Sequence, residues 1–191
     1  MAQFGFYFNQ EDCIGCKACQ VACCDRNDLA PDVVFRRVES YESGSYPNAM
    51  LYHFSLACNH CEKPACVANC PSGAMQKSDD GTVFIDYAEC IGCGTCVKSC
   101  PYGVPVLQED KNTSGKCDGC KAFRDAGQNP VCVDACVMRA IEWGDMEELK
   151  AKHGDAVNAL PILPDPAQTD PSLLVTPKAA ALDEAFKPFV I

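Results

Sequence analysis

The sequence predicts an α+β protein built from repeated strand, cysteine-loop, helix and strand units, with insertions between them and an extended C-terminal tail. Three observations carry that prediction. Of the 17 cysteines in 191 residues, all but Cys24 fall into four groups of four. Two groups open on nearly the same seven residues, CIGCKAC at 13–19 and CIGCGTC at 90–96, which differ at two positions and mark an internal repeat. Each is preceded by a short aromatic or β-branched run, Phe4 to Phe8 and Thr82 to Asp86, which reads as a strand.

The elements follow in order. The groups are Cys13, Cys16, Cys19 and Cys23; Cys58, Cys61, Cys66 and Cys70; Cys90, Cys93, Cys96 and Cys100; and Cys117, Cys120, Cys132 and Cys136. The C-x3-C steps in VACC and VKSC suit one helical turn, which turns a ligand back from a short helix. Residues 25–57 and 101–116 are insertions, with strand-like pieces VVFRRV and MLYHFSL. SDDG at 78–81 is a hairpin signal before GTVFID, and AIEWG at 140–144 takes the same place after the fourth group. Near residue 145 the character changes: EELKAKHG reads as a short helix stopped at Gly154. Beyond it Pro161, Pro164, Pro166, Pro171 and Pro177 enforce an extended path. The apolar pieces ALPIL, LLV and FVI are odd for a solvated tail, so the tail is expected to lie along a partner. The division is therefore 1–145 as core and 146–191 as a short helix and partner-binding tail.

A cubane iron-sulfur cluster needs thiolates converging on neighbouring irons, and C-x2-C-x2-C wraps one loop around three corners. In the bacterial ferredoxin run C-x2-C-x2-C-x3-C-P the last cysteine serves the partner cluster. Groups one and three keep that spacing, group three adds Pro101, and group two lengthens one gap but keeps Pro71. Group four separates its second and third cysteines by eleven residues and has Val137 where the proline would be. A disulfide framework fits poorly, because no apolar signal peptide opens the chain and disulfide-dense scaffolds are shorter. Structural zinc uses C-x2-C pairs but rarely needs the tight third cysteine that occurs twice here.

Hydrophobic residues reach 48% only when every cysteine is counted, so much of the interior is ligand and cluster, and folding depends on metal. The formal charge is −10, and thiolates around four 2+ cores make the loaded protein about eight units more negative still. That argues against nucleic acid as a partner. No run has the length of a transmembrane helix. Cluster assembly and thiol survival require a reducing compartment, so maturation is expected in the cytoplasm. No Gly-rich dinucleotide fingerprint, Ser-His-Asp set or flavin motif occurs, and the chain is read as a non-catalytic carrier of electrons.

On these residues the chain resembles the four-cluster ferredoxin-type iron-sulfur (beta) subunit of the dimethyl sulfoxide reductase family of molybdopterin oxidoreductases. The likeness spans about residues 3–155 and is most specific in FRRVESYESG, SLACNHCEKPACVANCPSGAM, ECIGCGTCVKSCPYGVP and KCDGCKAFRDAGQNPVCVDACVMRAIEWGDMEELKAKHGD. It implies tandem bacterial-ferredoxin-like units, groups 13–23 and 117–136 forming one and groups 58–70 and 90–100 the other. Four [4Fe-4S] clusters are implied: Cys13, Cys16, Cys19 and Cys136 for the first; Cys117, Cys120, Cys132 and Cys23 for the second; Cys58, Cys61, Cys66 and Cys100 for the third; Cys90, Cys93, Cys96 and Cys70 for the fourth. Some relatives have tryptophan in the place of Cys96 and a three-iron cluster; Cys96 is present here.

The resemblance also implies partners. The first cluster faces a molybdopterin-bearing catalytic subunit, and the fourth lies toward a membrane-anchor subunit that oxidises quinol. The protein is then membrane-peripheral, with export on a partner's twin-arginine signal as one route and the side of the membrane open. Alternatives are a formate dehydrogenase or hydrogenase subunit, whose relatives often add a C-terminal membrane helix, and a free polyferredoxin carrier. Cys24 competes with Cys23 or is a small buried hydrophobe. His60, between two ligands, is a donor to sulfur, a proton partner or a packed polar side chain. His53 lacks a constellation, His153 reads as surface, and Trp143 and Tyr102 read as packing. Lys17, Lys98, Lys116 and Lys121 tune potentials or are solvated charge.

Overall fold

The computed structural model describes residues 2–189. In sequence order it has β1 (Phe4–Asn9), α1 (Ala18–Arg26), the hairpin β2 (Arg37–Ser43) and β3 (Met50–Leu56), α2 (Ala65–Ala68), the hairpin β4 (Met75–Lys77) and β5 (Val83–Ile85), and α3 (Thr95–Ser99). There follow the hairpin β6 (Val106–Gln108) and β7 (Thr113–Gly115), α4 (Lys121–Asp125), α5 (Val131–Asp134), β8 (Ile141–Asp145), α6 (Met146–Lys152), β9 (Leu173–Thr176) and β10 (Phe186–Phe189). The α+β class and its repeated units are those the sequence predicts.

β1 is buried along most of its length because it is the middle strand of a sheet, antiparallel to β8 and parallel to β9. Neighbouring side chains of a strand face opposite ways. Phe6 and Phe8 enter the main core beside Cys19, Cys23, Cys117 and Cys132, while Tyr7 packs on Met146, Leu149 and Leu174. A second sheet, β10-β2-β3, closes the side of the core through Val38, Phe54 and Leu56. β3 coincides with MLYHFSL, whereas VVFRRV is strand only in its last two residues, since β2 begins at Arg37.

α2, α3, α4 and α5 have four or five residues each, far below the length at which an isolated helix is stable in water. Contacts with one another and with the cysteine loops hold them. α1 packs on α5 beside the β1/β8 pair, and α2 packs on α3 beside the β4/β5 hairpin. A smaller core of Cys66, Met75, Val83, Ile85 and Cys96 fills the second of these two groupings.

The C-terminal segment takes a course the sequence reading did not foresee. It packs along this chain's own core: Leu160, Leu173 and Val175 are buried in it, β9 joins the first sheet and β10 the second. Between α6 and β9 it straps the second cysteine loop, with the amides of Glu62 and Lys63 donating to the carbonyls of Asp170 and Thr169 at 2.8 and 3.0 Å. Val190 and Ile191 of the FVI piece lie outside the described residues. α6 ends at Lys152, capped through His153, with its first turn held by the Asp145 carboxylate, which accepts from the amides of Glu147 and Glu148.

One polar clamp ties the two groupings together. Asp80, in the β4/β5 turn, pairs with Arg124 of α4 at 2.9 Å, and Arg124 also donates to Thr82 Oγ1 at 2.8 Å and the Gly119 carbonyl at 2.8 Å. Burial alone would raise the Asp80 pKa, but bonds from the Ser78 hydroxyl, the Thr82 amide and Arg124 outweigh it and hold the carboxyl well below its ordinary range. Such a group stabilises the fold above its unfolded pKa, near 3.9, and the contribution disappears as pH falls through the depressed folded value. Asp80→Asn is expected to cost about 1–3 kcal/mol. Anaerobic denaturant unfolding should give the same gap between wild type and variant at pH 7 and pH 5, closing only below about pH 4.

Candidate metal centres

In all four cysteine groups the residue before the second cysteine is left-handed: Gly15 (φ 68°), His60 (43°), Gly92 (66°) and Gly119 (65°). This turns the chain so that the residue's amide points back at the first sulfur. The Gly119 amide donates to Cys117 Sγ at 3.4 Å and that of His60 to Cys58 Sγ at 3.5 Å, and Gly15 gives Cys13 the same backbone bond. Amides aimed at sulfur favour the thiolate. Late cysteines receive amides from downstream, Met75 to Cys70 Sγ at 3.4 Å and Ala140 to Cys136 Sγ at 3.3 Å. Val137, where a proline was expected, is 65% exposed and takes no part in that bond.

The loops gather the thiols across groups. Cys13, Cys16, Cys19 and Cys136 line one pocket, walled by Phe8, Ile14, Val38 and Ile141. Cys70, Cys90, Cys93 and Cys96 line another, walled by Met75, Ile85 and Ile91. Between them Cys23 lies within electrostatic reach of Cys120 and Cys132, and Cys117 of Cys23 and Cys132. Cys66 has Cys58, Cys61 and Cys100 as its charged neighbours. The sets are also linked: Cys19 is within electrostatic reach of Cys132 and Cys117 of Cys58, and Cys66 packs in one cluster with Cys96. Cys24 stands apart. About 100° around α1 from Cys23, it donates to the Val33 carbonyl at 3.9 Å.

Burial and mutual repulsion act together in the middle of this row. Burial pushes the Cys23 and Cys66 thiols up to about 12 and Cys61 to about 11, with neighbouring cysteines adding to the rise. At the far end, hydrogen bonds from Thr95 lower the exposed Cys93, and amides led by Met75 outweigh burial at Cys70. Two cations are buried beside the central thiols. Arg36 is 2% and Lys116 3% exposed, and among the described residues neither has a carboxylate partner. Lys116 Nζ donates to the carbonyls of Val83 and Cys117.

A buried cation without an anion costs several kcal/mol, so these two positions fit neighbours that carry net negative charge. Four thiolates around a 2+ iron-sulfur core supply it. The donors gathered here are all sulfur, drawn from different cysteine loops, a ligand chemistry that fits iron-sulfur clusters.

The remaining candidates are packed. The His60 ring is fully buried, its Nδ1 accepting the Val83 amide at 3.0 Å and its edge set against Trp143 at 5.3 Å. Burial holds it neutral, well below the ordinary histidine range. His53 lies under Gly15, where an added Cβ would meet its ring at 2.5 Å, and bonds to Ser40 Oγ at 2.9 Å. His153, expected at the surface, stacks on Tyr7 at 3.5 Å and reaches Glu142 at 3.3 Å. Trp143 packs edge-on to Phe6 at 4.6 Å, and Tyr102 is buried. Lys17 and Lys98 are exposed, and Lys121 pairs with Asp125 at 2.9 Å. The sequence reading overlooked Arg36 and Ser55, whose only signal was a charge beside the apolar run VVF.

Fold and donor sets together define a ferredoxin-type iron-sulfur protein. A family described as 4Fe-4S dicluster domain matches residues 49–146, and one described as 4Fe-4S binding domain matches residues 10–28. The sequence is 43% identical over 185 residues to the B subunit of anaerobic dimethyl sulfoxide reductase of Escherichia coli K12, covering 93% of this protein and 90% of the relative. Its counterpart in Haemophilus influenzae is 42% identical over 190 residues, covering 95% and 92%. The thiosulfate reductase electron transfer subunit of Salmonella typhi is 36% identical over 150 residues, covering 76% and 78%. The protein belongs to the family of iron-sulfur B subunits of the dimethyl sulfoxide reductase type.

Gly119 offers a local test. Its φ is 65°, and a Cβ there would meet Trp143 Cη2 at 2.8 Å. Gly119→Ala combines a left-handed penalty with overpacking and is expected to cost about 2–4 kcal/mol. Iron analysis and anaerobic unfolding should show a destabilised protein that loses iron sooner than wild type.

Proposed function

We propose that the chain is the electron-transfer subunit of a dimethyl sulfoxide reductase-type complex, relaying single electrons through four [4Fe-4S] clusters between a membrane quinol-oxidising subunit and a molybdenum or tungsten bis-pterin catalytic subunit. The clusters supply reversible one-electron storage when bound. One observation carries this reading: the thiols fall into a succession of sets in which Cys19 is within electrostatic reach of Cys132, Cys117 of Cys58, and Cys66 shares an apolar cluster with Cys96. Family membership supports it from outside the fold.

The ligand sets proposed are Cys13, Cys16, Cys19 and Cys136; Cys117, Cys120, Cys132 and Cys23; Cys58, Cys61, Cys66 and Cys100; and Cys90, Cys93, Cys96 and Cys70. The shared cavities and the electrostatic neighbours described above support them. The middle sets are enclosed by Phe6, Phe54, Val104 and Ile141, which keep water and oxidants from the sulfurs. The end sets reach the surface through the exposed Cys16 and Cys93. Around Cys16 the apolar side chains of Ile14, Val21 and Val137 are exposed, and around Cys93 those of Ile91 and Tyr87. Rims of this kind suit subunits that must bring an electron donor or acceptor close; the resemblance alone orients the row, with the first end toward the catalytic subunit and the fourth toward the membrane anchor. No helix among the described residues is long and apolar enough to cross a membrane. Maturation in the cytoplasm and export on a partner's signal complete the proposal.

The test is metal analysis of the native complex captured anaerobically through a tag on this subunit. About sixteen irons per copy, in addition to any carried by a partner, accompanied by molybdenum or tungsten, are expected. Nickel would reassign the chain to a hydrogenase, iron alone to a free carrier, and zinc without iron would overturn electron transfer. Stripping the iron with a chelator under reducing conditions should abolish cooperative unfolding, because the short helices and cysteine loops then lose the cores that tie them together.

A further inference from the structure

Arg36 is buried at the junction of the first two thiol sets, and the relay described so far gives it no role. Its guanidinium lies over the Phe6 ring at 4.5 Å. Nη1 donates to the Ser55 carbonyl at 3.2 Å and to Ser55 Oγ at 3.0 Å, whereas Nε and Nη2 are buried with no protein partner. The nearest thiols electrostatically are Cys132, Cys117, Cys19 and Cys23, three from the second set and one from the first. The Ser55 hydroxyl oxygen already accepts from Nη1, so its hydrogen is free to donate, and Cys19 Sγ lies 3.4 Å away.

We infer that Arg36 is a positioning residue for electron transfer, a fixed cation shared by the first and second clusters that raises the reduction potential of both, acting on the second directly and on the first through Ser55. The inference rests on the four-cluster reading above. An arginine suits the task because it stays protonated and its planar fork can serve Ser55 and still present free N–H groups to sulfur. Reduction adds one electron to a cluster that is already anionic with its thiolates. A nearby cation in a low-dielectric interior favours that more negative state. The guanidinium exchanges no proton and makes no bond in the process.

The experiment is a redox titration of the purified holo-complex followed by electron paramagnetic resonance, with iron counted in each sample. In Arg36→Gln two of the four midpoint potentials should fall by at least a tenfold loss in the reduction equilibrium, about 59 mV for one electron; the other two should hold. Arg36→Lys, which keeps the charge, should recover most of the shift. Ser55→Ala should lower one potential only. A wild-type complex without four clusters would sink the parent reading. Four clusters whose potentials are unmoved in Arg36→Gln would overturn this inference alone. Should Arg36→Gln fail to retain iron, an iron-replete Ser55→Ala with four unchanged potentials would overturn it equally.

Discussion

Sixteen sulfurs must be held close together as thiolates inside a chain of 191 residues, and the cost of gathering that charge is the constraint on which the rest of the structure depends. Side by side in an apolar interior, thiolates are disfavoured twice, by lost hydration and by one another. Four iron-bearing cores remove most of that penalty, and the protein needs few large elements of its own. This explains helices of only four or five residues. Their ends are fixed by ligands and loop amides rather than by propensity or a long apolar face. The aromatic side chains Phe6, Phe8 and Phe54 then serve chiefly as walls that keep water from the sulfurs.

The sheets act as braces at the edge of this row. β1 shows how one strand serves two purposes: Phe6 and Phe8 close the first and second sets, and Tyr7 anchors α6 and β9 on the other face. The C-terminal segment completes both sheets and crosses the second cysteine loop through Ser172, whose amide donates to the Asn59 carbonyl at 2.9 Å and whose hydroxyl donates to the His60 carbonyl at 3.0 Å. A partner that grips the outer face of this segment would therefore bear on the loop of the third set.

Much of this was legible in the residues. The cysteine spacing carried the donor types, and β1, β3 and β8 stand close to the runs that suggested them because their aromatic and β-branched residues are contiguous. The tail was not legible. β9 has four residues and pairs with β1 across more than 160 positions, a non-local match that leaves no periodicity in either segment. Of the readings open for His60 the packed side chain is the one found, but its backbone was not legible, for a different reason. Its place in the loop corresponds to Gly15, Gly92 and Gly119, and its left-handed backbone is visible only when the four loops are superposed by geometry. Between two cysteines a histidine suggests chemistry, whereas here its ring fills space against Trp143 and receives the Val83 amide. Arg36 escaped notice because consecutive arginines suggest a solvated surface; only the bend before β2 sends Arg36 inward and leaves Arg37 outside to bind the Tyr102 and Gly103 carbonyls.

The four repeats share a local geometry but not an environment, and the differences in environment offset one another along the row. At its ends, Cys16 and Cys93 are open to solvent, and water and loop amides can support added charge. In the middle, where Cys23, Cys66 and Cys117 are buried, the same reduction would be penalised by the low dielectric. The buried cations are found there, Arg36 between the first and second sets and Lys116 beside Cys117, Cys58 and Cys66. Solvent at the ends and fixed charge at the centre act in the same sense, so the interior does not become a barrier to electrons passing between the exposed sites. Cations that offset the charge of the resting clusters also lower the cost of the further electron each takes on, so the feature that stabilises the core favours passage through it.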